Sequence, residues 1–165
     1  MLEAVVAVIT NGDKILLIQR APGIRGGGYW APVSGEVEPG ETQEAAVVRE
    51  VKEEVGLTVR PVRKVWENMS TRGTFILHWW LAEYVGGELV LEKREVSDAR
   101  WLTADEICGL DSTFEGDRKF YQKVTDLYAT AIDYDSNART TREFFALVQN
   151  KLHWAVHGRT AAEIV

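Results

Sequence analysis

Arg49, Glu50, Glu53 and Glu54 are the residues whose types and spacing could do chemistry. They lie in the stretch 35–57, GEVEPGETQEAAVVREVKEEVGL, where a polar, Gly/Pro-containing loop feeds a segment of helical periodicity. At about 100° per residue the three glutamates fall within one arc of about 100°, while Ala45, Val48, Val51 and Val55 lie on the far side. The expectation is one acidic face and one core face. A like-charged i,i+4 pair such as Glu50 and Glu54 costs an isolated helix roughly 0.2–0.5 kcal/mol. A hard divalent cation reverses that sign, since Mg²⁺ takes a few carboxylate oxygens together with waters and substrate phosphates. The acid cluster beside a backbone-rich loop is therefore a candidate seat for a metal–phosphate complex. The bland alternative is the solvated side of an amphipathic helix, but that reading says nothing about Gly35 and Glu41 at their distances upstream or about Gly56 where the helix should stop.

The elements that must position these residues can be read in order. Residues 3–10 and 14–20 are aliphatic and β-branched runs joined by Asn11-Gly12-Asp13, a hairpin signal. Residues 21–28, APGIRGGG, read as a mobile loop whose Arg25, with Arg20 at the preceding strand end, could meet a phosphate, although a solvated cation is the plainer reading for each. Trp30 reads first as core and second as a platform for a base. Thr42 is the expected N-cap and Gly56 the residue past the C-terminus of a helix over about 42–55. Arg49, between the two faces, is expected to hold a carboxylate in place. Strands follow at 58–66, 73–85 and 88–92, with Gly86-Gly87 as a hairpin turn; Pro61 pushes the first toward an edge, and the two apolar faces of the second make it central. His78 on that strand reads as a satisfied structural histidine. Residues 93–98 form a charged loop before a strand at 99–102, and its Glu95 and Asp98 are the acids placed to add a carboxylate from outside the helix. Thr103 to Glu106 fits a capping box opening a short helix.

The box itself resembles a known family. Gly35, Glu41, Arg49, Glu50, Val51, Glu53, Glu54, Gly56 and Leu57 meet every fixed position of the Nudix box, a match whose chance is on the order of 10⁻⁹ per start point at average residue frequencies. The resemblance implies an α+β chain of the α/β class, an α/β/α sandwich with a mixed sheet. It implies Mg²⁺, with Mn²⁺ as a substitute, held by Glu50, Glu53, Glu54 and the Gly35 carbonyl, and a brace of Glu41 with Arg49. The general base varies within the family; Glu95 is preferred to Asp98, with a box glutamate as the remaining choice. The implied reaction is hydrolysis of a diphosphate linkage in nucleoside diphosphate-X compounds. Neither a proline nor a tyrosine, markers of ADP-ribose and diadenosine polyphosphate enzymes, stands at Gly73, Thr74 or Phe75. Compact size and a short upstream strand pair make a nucleoside triphosphate, oxidised or not, the first expectation and a nucleotide sugar or ADP-ribose the second, although Ser34 stands where many triphosphate-cleaving relatives carry glycine.

The whole chain sets bounds. Its 165 residues, 45% hydrophobic and 27% charged, suffice for one good core and a small appendage. A net charge of −6 disfavours a nucleic acid polymer held by a basic surface but leaves small phosphorylated nucleotides possible, since a metal can supply the positive charge. Cys108 is the only cysteine, so no intrachain disulfide forms and the cytoplasm is the expected compartment. No apolar run is long enough to span a membrane and the N-terminus has no signal-peptide pattern.

The tail differs in texture. A domain at 1–116 is expected to precede a helical C-terminal extension at 117–165, with amphipathic helices over 117–131 and 140–157 and a final capping box, Thr160 to Glu163, cut short as in a truncated fragment. From about Phe120 the tail resembles an internal piece of the RhuM family of virulence-associated proteins, and it is expected to pack on the first domain or on a second copy in a homodimer. His153 and His157 stand at i,i+4 without the glutamate or third ligand of a zinc site. Ser34 and Cys108 lack the context of a nucleophile. Readings from another class are a nucleotide-binding regulatory module without turnover and an interaction protein carried on a Nudix scaffold.

Overall fold

The structure is a computed structural model that describes residues 1–103 apart from Thr71, together with Glu106 and Ile107. The chain divides into two compact units, Met1–Leu102 and Thr103–Val165. The expected tail helices at 117–131 and 140–157 lie outside the described residues.

The first strands form because their residues are β-branched or aliphatic and their turn is Asn-Gly. Strand β1 (Leu2–Asn11) pairs antiparallel with β2 (Lys14–Arg20), Thr10 opposite Ile15 and Asn11 opposite Lys14, with Gly12 at φ 61° in the turn. The short β3 (Trp30–Ala31) pairs with β2, and β4 (Val33–Glu36) pairs with the first half of β1, so that Gly35 stands opposite Val5. Helix α1 (Gln43–Val55) follows. β5 (Thr58–Met69) and β6 (Phe75–Gly86) are antiparallel, and β6 runs parallel to β1. β7 (Val96–Thr103) pairs with β2. The result is a mixed seven-stranded sheet of order β3-β2-β1-β6-β5, with β4 and β7 off that path, and the chain is α+β.

Pro61 and β6 behave as expected: β5 is the edge strand, irregular between Pro61 and Arg63 where the proline cannot donate to the ladder, and β6 lies inside the sheet. His78 is buried, its Nε2 3.1 Å from Glu3 Oε2 and its Nδ1 3.1 Å from Glu67 Oε2, as befits a structural histidine. Thr103 and Glu106 cap each other, Glu106 N–H donating to Thr103 Oγ1 and Thr103 N–H to Glu106 Oε2.

Three expectations are corrected. Residues 88–92 are not a strand, and Gly86-Gly87 is not a hairpin turn. The segment instead runs past the end of α1, where Val90 N–H donates to Val55 O and Glu92 N–H to Glu54 O. Those carbonyls have no partner within the helix, so an extended segment that supplies N–H groups satisfies them. The loop at 93–98 is a short turn at 93–95, and Asp98 already belongs to β7. The core face of α1 is the expected one only in part: Val51 and Val55 are on it, Ala45 and Val48 are not. Ala46, Val47, Val51 and Val55 are fully buried, whereas Ala45 and Val48 are exposed. On a wheel of about 100° per residue the buried four span about 180°, and Glu54 falls near the middle of that span.

Thr42 caps the helix start, its Oγ1 accepting from Ala45 N–H, and Gly56 ends it at φ 76°. A Cβ on Gly56 would meet Val90 Cβ at 3.0 Å and Glu88 O at 3.1 Å, while one on Gly12 would meet nothing within 4 Å. Both glycines have positive φ, so alanine strains each by about 1–2 kcal/mol, and only Gly56→Ala also pushes the 88–92 segment off α1. Thermal unfolding is expected to show a larger drop in Tm for Gly56→Ala than for Gly12→Ala.

Candidate active site

The site is built where the loop after β4 turns back along α1. Arg49 is its hub. Its Nε and Nη2 donate to the two oxygens of Glu41, both at 2.9 Å, a forked pairing that fixes the loop against the helix. Its Nη1 donates to Glu50 Oε1 at 2.7 Å and Glu53 Oε2 at 3.2 Å, and Nη2 also reaches Glu36 O at 2.8 Å. Glu41 in turn accepts from Glu38 N–H, closing the loop on itself. The Arg49 guanidinium holds the Glu41 carboxyl below its usual range, and the same partners raise the Arg49 pKa.

Glu50 lies directly over Gly35. A Cβ at Gly35 would come within 1.9 Å of Glu50 Cδ, so the carboxylate rests on bare backbone and only glycine leaves it that space. Burial pushes the Glu50 carboxyl up, Arg49 pulls it down, and the charges of Glu53 and Glu95 add to the rise.

Glu54 differs from its neighbours. It is 5% exposed, and its Oε2 is buried with no hydrogen-bond partner. Burial first, then the charges of Glu50 and Glu95, push its carboxyl up to about 8, against a weaker pull from Arg20. Arg49 is already engaged by Glu41, Glu50, Glu53 and a carbonyl. A buried carboxylate that faces like charge and lacks a counter-ion is unstable in its ionised form unless a cation is supplied. Among the described residues no three acidic, His or Cys side chains are arranged to enclose a metal by themselves. Mg²⁺ does not require that, since it is bound through one or two carboxylates, waters and substrate phosphates. The hard oxygen donors of Glu54 and Glu50, the latter over the Gly35 backbone, fit such an ion.

The remaining sequence candidates divide. Glu95 sits in the turn before β7, near enough for its charge to raise both Glu50 and Glu54, while its carbonyl accepts from Ala21 N–H at 2.8 Å. Asp98 is paired with Arg100 at 3.0 Å and is not among the charges that act on Glu50 or Glu54. Arg20 acts on Glu54 through its charge and donates from Nε to Arg25 O, whereas Arg25 itself is exposed and contributes that carbonyl. The glycine loop around them is tied by Gly28 N–H to Arg20 O, Arg20 N–H to Tyr29 O and Tyr29 N–H to Gly26 O. Trp30 is buried with the Arg100 guanidinium 4.9 Å from its ring centre, so core packing and a cation–π contact occupy the ring that a base would need. Two participants went unread in the sequence: the Glu36 carbonyl on Arg49, which has no side-chain signal, and the inward placement of Glu54, which the wheel does carry once Ala46 and Val47 replace Ala45 and Val48 as core.

Two outcomes follow. Gly35→Ala displaces only the end of a flexible side chain, so the variant is expected to fold with Tm within a few degrees of the parent while Mg²⁺-dependent turnover falls about a hundredfold. The raised Glu54 carboxyl means the folded protein holds a proton that the unfolded chain gives up near 4.5. The stability it contributes is therefore complete below about 4.5 and is lost as pH rises through about 8. In EDTA, the Tm of the parent is expected to fall over that window and that of Glu54→Gln to fall less; equal slopes would remove Glu54 as the source.

Comparison with known proteins accords with this geometry. A NUDIX domain family model matches residues 2–124, and a model of the Virulence protein RhuM family matches residues 109–165. The chain is 36% identical over 107 residues to the NAD-capped RNA hydrolase NudC of Stutzerimonas stutzeri (strain A1501), a match covering 65% of this chain and 38% of that protein. The chain thus spans less than half the length of this curated relative. Among solved structures, an ADP-ribose pyrophosphatase from Streptococcus suis 89-1591 is 27% identical with a TM-score of 0.53, over 63% of this chain and 75% of that one. The MutT protein from Methanosarcina mazei Go1 is 26% identical with a TM-score of 0.60, over 74% and 91%. The complete box, the sheet that carries it and a family match over most of its length make this chain a member of the Nudix hydrolase family.

Proposed function

We propose that this chain is a Mg²⁺-dependent hydrolase of the diphosphate bridge in nucleoside diphosphate-X compounds. The observation that carries the reading is the buried, partnerless Glu54 oxygen beside Glu50 and Glu95, an excess of negative charge that a divalent ion relieves. Mg²⁺ held by Glu54 and Glu50, with Glu53 and the Gly35 carbonyl at the margin, would neutralise the diphosphate and lower the pKa of a water. The residues of the chain do the rest. Glu41 and Arg49 lock the loop to the helix, and Arg20 offers a guanidinium to a phosphate. Glu95, from outside the helix, takes the proton of the attacking water as its oxygen bonds to phosphorus and the bridging P–O bond breaks, leaving a nucleoside monophosphate and phosphorylated X.

The substrate reading moves from a nucleoside triphosphate to X as a sugar or a second nucleoside. The names that specify a substrate among the relatives reported above are NAD-capped RNA hydrolase and ADP-ribose pyrophosphatase, and both describe two groups joined through a pyrophosphate. The first also names an RNA, against the sequence expectation of no polymer. We assign the domain boundary near residue 116, packing or pairing to the 117–165 extension, and the cytoplasm to the protein as parts of the same proposal; no helix among the described residues is long and apolar enough to cross a membrane.

The test is a Mg²⁺-dependent release assay over NAD, ADP-ribose, nucleotide sugars, dinucleoside polyphosphates and nucleoside triphosphates. Turnover of NAD or ADP-ribose above the triphosphates is expected, with a loss of at least about a hundredfold in Glu54→Gln. Preference for triphosphates would restore the earlier substrate order. Binding without turnover of any compound would replace the enzyme by a nucleotide-binding module.

A further inference from the structure

Helix α1 is held at its C-terminal end by residues 88–92 and in its middle by Arg49. Its first turn is held by a different device, one outside the fixed positions of the box. Gln43, the first residue of α1, donates from Nε2 to Glu3 Oε2 of β1 at 3.3 Å and accepts at Oε1 from the indole N–H of Trp80 of β6 at 3.1 Å. Glu3 Oε2 also faces His78 Nε2 at 3.1 Å, and His78 Nδ1 faces Glu67 Oε2 of β5 at 3.1 Å and Lys64 Nζ at 3.3 Å. Lys64 pairs with Glu67 at 2.6 Å. The parallel register of β1 with β6, Val5 opposite His78, and the antiparallel register of β6 with β5, His78 opposite Glu67, bring these side chains into one row under the helix start.

The chemistry of that row is directional. The buried Trp80 N–H needs an acceptor, and the half-exposed Glu3 carboxylate accepts from the Gln43 amide. A side chain that answers both at once must carry a carbonyl and an N–H on one short stem, which an amide does and a carboxylate or an ammonium does not. We infer that Gln43 is a positioning residue that pins the first turn of α1 to β1 and β6 through Glu3, His78 and Trp80, and so sets the rotation at which the helix delivers Glu50 to Gly35 and Glu54 to the interior. The inference rests on the proposed role of Glu50 and Glu54. Glu54 lies about 16 Å along the axis from Gln43, with Arg49 and residues 88–92 holding the helix farther along, so a loosened first turn lets the helix tilt about those two holds, and displacements of about 1 Å in a catalytic constellation can cost a hundredfold in rate.

The experiment is a reciprocal exchange read by two methods. Gln43→Glu keeps the acceptor for Trp80 but sets a carboxylate against Glu3; Glu3→Gln keeps an acceptor for His78; the double variant Glu3→Gln/Gln43→Glu restores one donor and one acceptor across the contact. The helix dipole alone gives Gln43→Glu the opposite sign, because an acid in the first turn stabilises a helix. Amide hydrogen exchange over residues 45–47 is expected to speed up by about tenfold in Gln43→Glu and to return to within about twofold of the parent in the double variant. In Mg²⁺-dependent hydrolysis of the best substrate, kcat is expected to follow the same pattern with KM within about twofold. Unchanged exchange in Gln43→Glu, or a double variant no better than the single, overturns the inference. Exchange reports on the brace even if the parent hydrolyses nothing, an outcome that would count against the proposed function alone.

Discussion

The constraint on which this domain turns is a carboxylate placed where a carboxylate does not belong. Glu54 sits amid the buried face of α1, one oxygen without a partner; on the same helix Arg49 is committed to Glu41, Glu50 and Glu53, and Lys52 donates to the Gly56 carbonyl. Burial and like charge both oppose its ionisation. No gain in folding stability explains such an arrangement, since an apolar residue at this position would pack with Val51 and Val55 at no electrostatic cost. It makes sense as a site kept short of one positive charge.

The scaffold is arranged to hold that deficit in register. β4 brings bare backbone to Glu50 at Gly35, and Arg49 gathers Glu41, Glu50 and Glu53 around one guanidinium, while the charges of Glu50 and Glu53 still bear on Glu54. The segment after β6 uses its N–H groups to close the end of α1, Glu92 N–H on the carbonyl of Glu54 itself. The turn that follows carries Glu95 to the cluster and is joined to the glycine loop through Ala21. Helix end, loop and turn are thus coupled by backbone bonds, which is how a surface acid from a distant part of the chain comes to influence two box glutamates.

Much of this was legible in the sequence. The spacing of Gly35, Glu41 and the Arg-Glu pair reports geometry directly, because loop length and helical rise are fixed by covalent structure. Asn11-Gly12 and Pro61 report turn and edge through their own backbone preferences. The face of α1 was less legible. Periodicity separates apolar from charged arcs but does not say which borderline residues meet the sheet, and the sheet chose Ala46 and Val47 over Ala45 and Val48. Residues 88–92 misread for a related reason: their aliphatic pattern suits a strand, but the groups in need of partners were the helix carbonyls rather than a neighbouring strand. Trp30 shows the limit of residue type, since the same ring serves a base or a core and its burial under Arg100 assigns it to the core.

Family membership supports the proposed reaction class, while the identity of X depends on parts of the molecule that the box does not contain. What the box does make testable is its charge. Calorimetric titration of the protein with Mg²⁺ at pH 7, in buffers of differing ionisation enthalpy, counts the protons released on binding. Release approaching one proton per ion, absent in Glu54→Gln and fading above pH 8, is the expected result for a carboxyl pushed up to about 8. Binding at pH 7 with no proton release, or with the same release from Glu54→Gln, would contradict the claim that Glu54 is held for the metal.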